Sequence, residues 1–174
     1  MKKILLTIFP ILFTAFGIFA QPVYNATQGI NYTLIQDAID AANADDIIEV
    51  YAITVEPDVN VDIDLTIDLT NIPGPVVTDE KNYTLAFGIS ATLIGDASLT
   101  FDGMQIILSG ENTLNVNNLN VGQEGNDASE KSCMIVNGTM NELILSGVNN
   151  FDGRGSGIVY GGTTYYMNGG PGIE

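Results

Sequence analysis

The side chains of this sequence that could do chemistry are mostly carboxylates. Asp58, Asp62, Asp64 and Asp68 fall at positions of one parity in an alternating apolar and polar segment, so on an extended chain they share one face. Neighbours two apart stand about 6.8 Å from each other, where like charges repel by only about 0.6 kcal/mol in water. The row is therefore tolerable without a cation. As a metal site it reads as a weak calcium site, with Asp62 and Asp64 as ligands and the millimolar affinity usual in extracellular modules. A second set is Asp102, Asp152 and Arg154. Glycosidic cleavage needs two carboxyls roughly 5 to 9.5 Å apart, whereas Asp-Gly at 102–103 and 152–153 is ordinary turn chemistry. No catalytic residue and no other cofactor is assigned.

The absences are as informative. The chain has no histidine and one cysteine, which removes Ser-His-Asp and Cys-His hydrolases, His-ligated zinc and any intramolecular disulfide. Cys133 lies in the apolar run 133–136 and is expected to be a buried, inert thiol. Asn112, Asn115, Asn117, Asn118 and Asn120 are expected either to stack as an amide ladder or to present a polar face to sugar hydroxyls. Tyr160, Tyr165 and Tyr166 read either as rings that stack on sugars or as the composition of a glycine-rich tail.

Those residues must be positioned by strands. From Ile47 to Leu69 the apolar residues recur with period two, and after Pro73-Gly74-Pro75 short apolar runs alternate with Gly, Asn and Asp. Segments 107–112 and 144–149 repeat one another closely, and 99–103 echoes 149–153 less closely. Imperfect repetition of strand plus turn predicts stacked units, a solenoid, with on the order of 20 residues per coil. One helix precedes the strands, over residues 33–44. Leu34, Ile35, Ala38, Ile39 and Ala42 recur at helical spacing, and Thr33 with Gln36 reads as a capping box. Residues 153–174 are dense in glycine and are expected to form a tail or an incomplete coil.

The first 20 residues read as a cleavable signal peptide. Lys2 and Lys3 precede an uncharged apolar stretch interrupted by Pro10, and Ala20 before Gln21 is the expected cleavage site. The remainder, 21–174, fits one domain, secreted or at the cell surface. The whole chain carries a formal charge of -16, and loss of residues 1–20 removes two lysines and no acid. Such a surface disfavours nucleic acid and anionic membranes, and no membrane insertion is expected after cleavage.

The stretch Tyr32-Thr33-Leu34-Ile35-Gln36-Asp37-Ala38-Ile39-Asp40-Ala41-Ala42, followed by Asp46-Ile47-Ile48-Glu49-Val50, resembles the N-terminal entry of right-handed parallel β-helix proteins of the pectin-lyase-like superfamily. The resemblance covers roughly residues 24–70. It implies an all-β, right-handed parallel β-helix whose open N-terminal end is sealed by a short capping helix. Ala44-Asp45-Asp46 stands where that entry usually turns on glycine. Enzymes of the superfamily use carboxylates, calcium and a basic residue on later coils, where this chain offers only Lys81, Lys131 and Arg154. The expected function is thus a secreted, non-enzymatic module for surface adhesion or glycan binding, with a polysaccharide or cell-surface glycan as partner. The alternative is the N-terminal part of a polysaccharide lyase or glycoside hydrolase whose active site lies beyond residue 174, because the glycine-rich end shows no capping element.

Overall fold

The computed structural model describes residues 21–122, 133–137, 142–152, 158–160 and 163–165. The signal segment 1–20, Lys131, Arg154, Tyr166 and most of the glycine-rich stretch lie outside the described residues. In chain order the elements are β1 (Val23–Asn25), β2 (Ile30–Tyr32), α1 (Ile35–Asp40), β3 (Asp46–Val50), β4 (Val59–Val61), β5 (Leu65–Asp68), β6 (Val76–Thr78), β7 (Asn82–Leu85) and β8 (Ser90–Ile94). They continue with β9 (Thr100–Asp102), β10 (Gln105–Ser109), β11 (Thr113–Asn117), β12 (Asn120–Gly122), β13 (Met134–Asn137), β14 (Glu142–Ser146), β15 (Asn150–Asp152), β16 (Ile158–Tyr160) and β17 (Thr163–Tyr165).

Among the described residues the chain is all-β apart from one short helix. Its strands form three open sheets, ordered β14-β11-β8-β5-β3-β1-β2, β17-β16-β13-β10-β7-β4 and β15-β12-β9-β6. From β5 onward the chain visits the seven-stranded, the four-stranded and then the six-stranded sheet, and repeats that order. Successive visits to a sheet pair in parallel. The antiparallel pairs are β1 with β2 and β3, and β16 with β17. Each sheet recurs at intervals of roughly 20 to 30 residues, within the range of repeat architectures.

Period-two patterning decides which side chains enter the core. Ile48, Ile67, Leu93, Val116 and Leu145 stand in register across the seven-stranded sheet. Val61, Leu85, Leu108 and Val136 do so across the six-stranded sheet, and Val77, Phe101, Val121 and Phe151 across the four-stranded one. All belong to or pack on one apolar cluster. Full burial of a side chain such as Leu93 or Val116 contributes about 1.5–3 kcal/mol.

Three local expectations are corrected. The helix is shorter than 33–44, because Ala41 already leaves the regular ladder and Asp45 turns the chain at φ 68, a left-handed conformation that favours glycine. The capping box does not form: Leu34 is the N-cap and makes no side-chain cap. A distant carboxylate does the capping instead. Finally, segments 107–112 and 144–149 are not equivalent repeats. Ile107 lies on β10 of the six-stranded sheet and Ile144 on β14 of the seven-stranded one. What they share is a strand ending in Ser-Gly, where Gly110 and Gly147 take φ of 106 and 73. The fainter echo is the structural one, since Phe101 and Phe151 sit two strands apart in one register, with Val121 between.

Candidate functional site

Helix α1 packs against β1, β2, β3 and β4, burying Ile35, Ala38 and Ile39. Its free N–H groups at Ile35 and Gln36 donate to Glu56 Oε1 and Oε2 at 3.0 and 2.9 Å. Thr54 Oγ1 donates in turn to Glu56 Oε1. Gln36, expected to cap, instead clamps β4: its Nε2 donates to the Asn60 carbonyl at 3.1 Å and its Oε1 accepts the Asn60 N–H at 2.7 Å. On the other side, Asp46 is buried and accepts Asn25 Nδ2 at 2.8 Å, the Asn43 N–H at 2.9 Å and Gln28 Nε2 at 2.5 Å. The Asn25 amide, with the Asn43 N–H behind it, holds the Asp46 carboxyl below its ordinary range against the opposing effect of burial.

These contacts fix the first strands of the seven-stranded sheet, whose outward face carries two files of residues in register. One file runs Tyr24, Glu49, Asp68, Ile94, Asn117, Ser146, and a second runs Ile47, Thr66, Thr92, Asn115, Ile144. Steps along a file between strands are about 4.8 Å, and the two files lie about 6.8 Å apart. The face thus presents hydroxyls, amides and carboxylates in register, with Ile47, Ile94 and Ile144 among them. At one end Tyr51 donates its phenol to Glu49 Oε2 at 2.6 Å. That bond, then partial burial and the charges of Glu49 and Asp68, raise the Tyr51 pKa. Asp68 is pinned by the Thr70 N–H and Oγ1 at 2.9 and 2.7 Å.

A separate polar group lies inside. Asp79, Lys81 and Tyr83 occupy alternate inward positions leading into β7, with relative exposures of 1%, 7% and 0%. Lys81 Nζ donates to Asp79 Oδ1 at 2.8 Å, and the Tyr83 hydroxyl donates to Asp79 Oδ2 at 2.8 Å. Burial, followed by the Asp79 charge, pushes the Tyr83 pKa well above its ordinary value, so the phenol keeps its proton. Sequence reading passed this group over, although its signal was present: Asp79 and Lys81 share the parity of Tyr83 and Leu85, which is the core parity.

The residues nominated from sequence are dispersed. The segment 58–68 is not one strand, because the chain bends at 62–64 between β4 and β5 and changes sheet. Asp62 borders a shallow open groove with Ile39, Asp40, Ala42 and Ile63. Asp64 Oδ1 accepts the Ser90 N–H at 2.7 Å, while both Asp58 oxygens accept from Asn82 at 3.1 and 2.8 Å. Among the described residues, no three His, Cys, Asp or Glu side chains gather into a group that could hold a metal. Asp102 and the Asp152 backbone share a register position two strands apart, with Gly122 between. Cys133 is buried.

The asparagines divide by location. Asn120 donates to Thr100 Oγ1 at 2.8 Å and accepts from Asn150 Nδ2 at 3.1 Å, a side-chain ladder across three strands. Asn112 donates to the Ala86 carbonyl, and Asn118, at φ 53, accepts the Val148 N–H at 2.9 Å. Asn115 and Asn117 belong to the outward files described above. Of the glycine-rich stretch, β16 joins β13 in parallel and β17 returns antiparallel on β16, so Tyr160 and Tyr165 lie in strands. No helix among the described residues is long and apolar enough to cross a membrane. No protein-family model, curated protein or solved structure matches this chain.

Proposed function

We propose that the chain is an exported, non-enzymatic glycan-binding module used in surface adhesion, built as a right-handed parallel β-helix of the pectin-lyase-like kind. The order of visits to three largely parallel sheets, fixed from β5 onward, with α1 against the first strands, supports the β-helix reading. The observation that carries the function is the outward lattice of the seven-stranded sheet, from Tyr24 and Glu49 through Thr66 and Thr92 to Asn115 and Asn117. Hydroxyl, amide and carboxylate groups repeating every strand match a ligand that is itself a repeating polyol, and Tyr51 at one end supplies a partly exposed ring. The strong negative charge favours neutral or cationic glycans over acidic ones.

The test is binding of purified residues 21–174 to a panel of neutral, amino and acidic polysaccharides, with released sugar assayed in parallel. Retention by neutral or amino glycans without release, weakened about tenfold or more by Tyr51→Ala with Thr92→Ala and Asn115→Ala, is the expected result. Release of sugar, or no retention by any polysaccharide, would remove the proposal. Export is checked separately, since the secreted protein should begin at Gln21.

A further inference from the structure

We propose that Asp79 and Lys81 condense into an intramolecular isopeptide bond inside the core. Lys81 is the one basic side chain among the described residues, and it lies in the apolar interior against a carboxylate rather than on the surface. Burying an ion pair carries a desolvation cost for each ion, which the pair's own attraction only partly offsets. Converting both partners into one neutral amide removes that cost.

The geometry is that of reactants held together. Nζ lies 2.8 Å from Asp79 Oδ1, and is thereby placed beside Cγ, the carbon to which that oxygen is bonded. Residues 79 and 81 alternate with exposed Glu80, so both side chains enter the same side of an extended segment and the link closes without turning the backbone. Confinement of this kind replaces a bimolecular encounter by an intramolecular one. Nζ becomes the nucleophile once it passes a proton to the carboxylate it touches, since the free amine is the attacking form of lysine. Tyr83 supplies the third group, since its hydroxyl points at Oδ2, where negative charge develops when Nζ adds to Cγ.

The step balances without a co-reactant. Starting from the ion pair, Asp79 loses Oδ1 and the ammonium loses two of its three protons, and these leave together as one water. The Nζ–Cγ bond forms, Oδ2 remains as the amide carbonyl oxygen, and nothing is oxidised or reduced. The product keeps the Tyr83 hydrogen bond and gives a domain with a single cysteine a covalent staple of another kind.

Mass spectrometry of the full, folded and then denatured protein decides the matter. The expected tryptic product is uncut after Lys81 and one water lighter than its sequence, with fragment ions joining Asp79 to Lys81. Asp79→Ala and Lys81→Met should each restore the sequence mass whether or not the variant folds. Tyr83→Phe, which keeps the ring, should leave a measurable uncondensed fraction. A wild-type protein of full sequence mass that trypsin cuts after Lys81 overturns the proposal. So does a missing water that persists in Lys81→Met.

Discussion

Glu56 receives the Ile35 N–H at 3.0 Å, so the helix packed on the first strands is started by a residue beyond the next strand. The second carboxylate oxygen takes the Gln36 N–H, and two of the N-terminal donors are thereby satisfied by one anion placed at the positive end of the helix. Glu56→Ala should destabilise the protein by about 1–2 kcal/mol and Glu56→Gln by less. Thr33→Ala should change stability by less than about 0.5 kcal/mol. Urea unfolding of the three variants checks the order. A Thr33 variant as damaged as Glu56→Ala would show that the cap is local after all.

Asp46 makes the same region sensitive to acid. Its carboxyl is held below the ordinary value of about 3.9 by the Asn25 amide and the Asn43 N–H. A depressed folded pKa contributes stability that is present above the unfolded value and is lost as pH falls through the folded one. The melting temperature of the wild type should therefore fall below about pH 4. Asp46→Asn should lower stability near neutrality and flatten that acid limb. An unchanged acid limb in Asp46→Asn would place the acid sensitivity elsewhere.

At the alkaline end two tyrosines act in the same direction. Tyr83 is raised chiefly by burial and Tyr51 chiefly by its bond to Glu49. A raised folded pKa gives stability that is complete below the unfolded value of about 10 and is lost as pH climbs through the folded one. Absorbance titration should show one tyrosine ionising only as the protein unfolds. Glu49→Gln should move a second, surface tyrosine back toward its ordinary midpoint without altering the first.

Gly95 tests the closeness of neighbouring strands. A Cβ there would stand 2.8 Å from the Asn118 carbonyl oxygen and 2.9 Å from Leu119 Cδ1. Gly95→Ala should cost about 1–3 kcal/mol, because backbone rather than a flexible side chain must give way. Gly88→Ala meets nothing within 4 Å and is strained only by its φ of 78, at about 1–2 kcal/mol. Double substitution should be close to additive if the two mechanisms are independent.

How much of this was legible in the sequence depends on the range of the interaction. The period-two strands from Ile47 onward, the helix around Ile35–Asp40 and burial of Cys133 rest on local patterning, and all are present. The cap was missed because Glu56 is remote in sequence from Ile35, while Thr33 offered a nearer but unused hydroxyl. The aspartate row dissolved because alternation continues through the bend at 62–64, where the chain changes sheet without breaking its polarity pattern. The outward files join residues from visits whose spacing varies, so no fixed period in the sequence reveals them.

The recurrent order of the three sheets also has a mechanical consequence. Within its sheet each strand from β5 to β15 is hydrogen-bonded only to strands of the neighbouring visits, so load applied across the sheets is borne by one layer of hydrogen bonds at a time. Rupture under tension should therefore proceed layer by layer from the end farther from α1, in a sawtooth of small force drops rather than one large one. A structure layered this way dissipates a pull gradually and re-forms from the part that never let go.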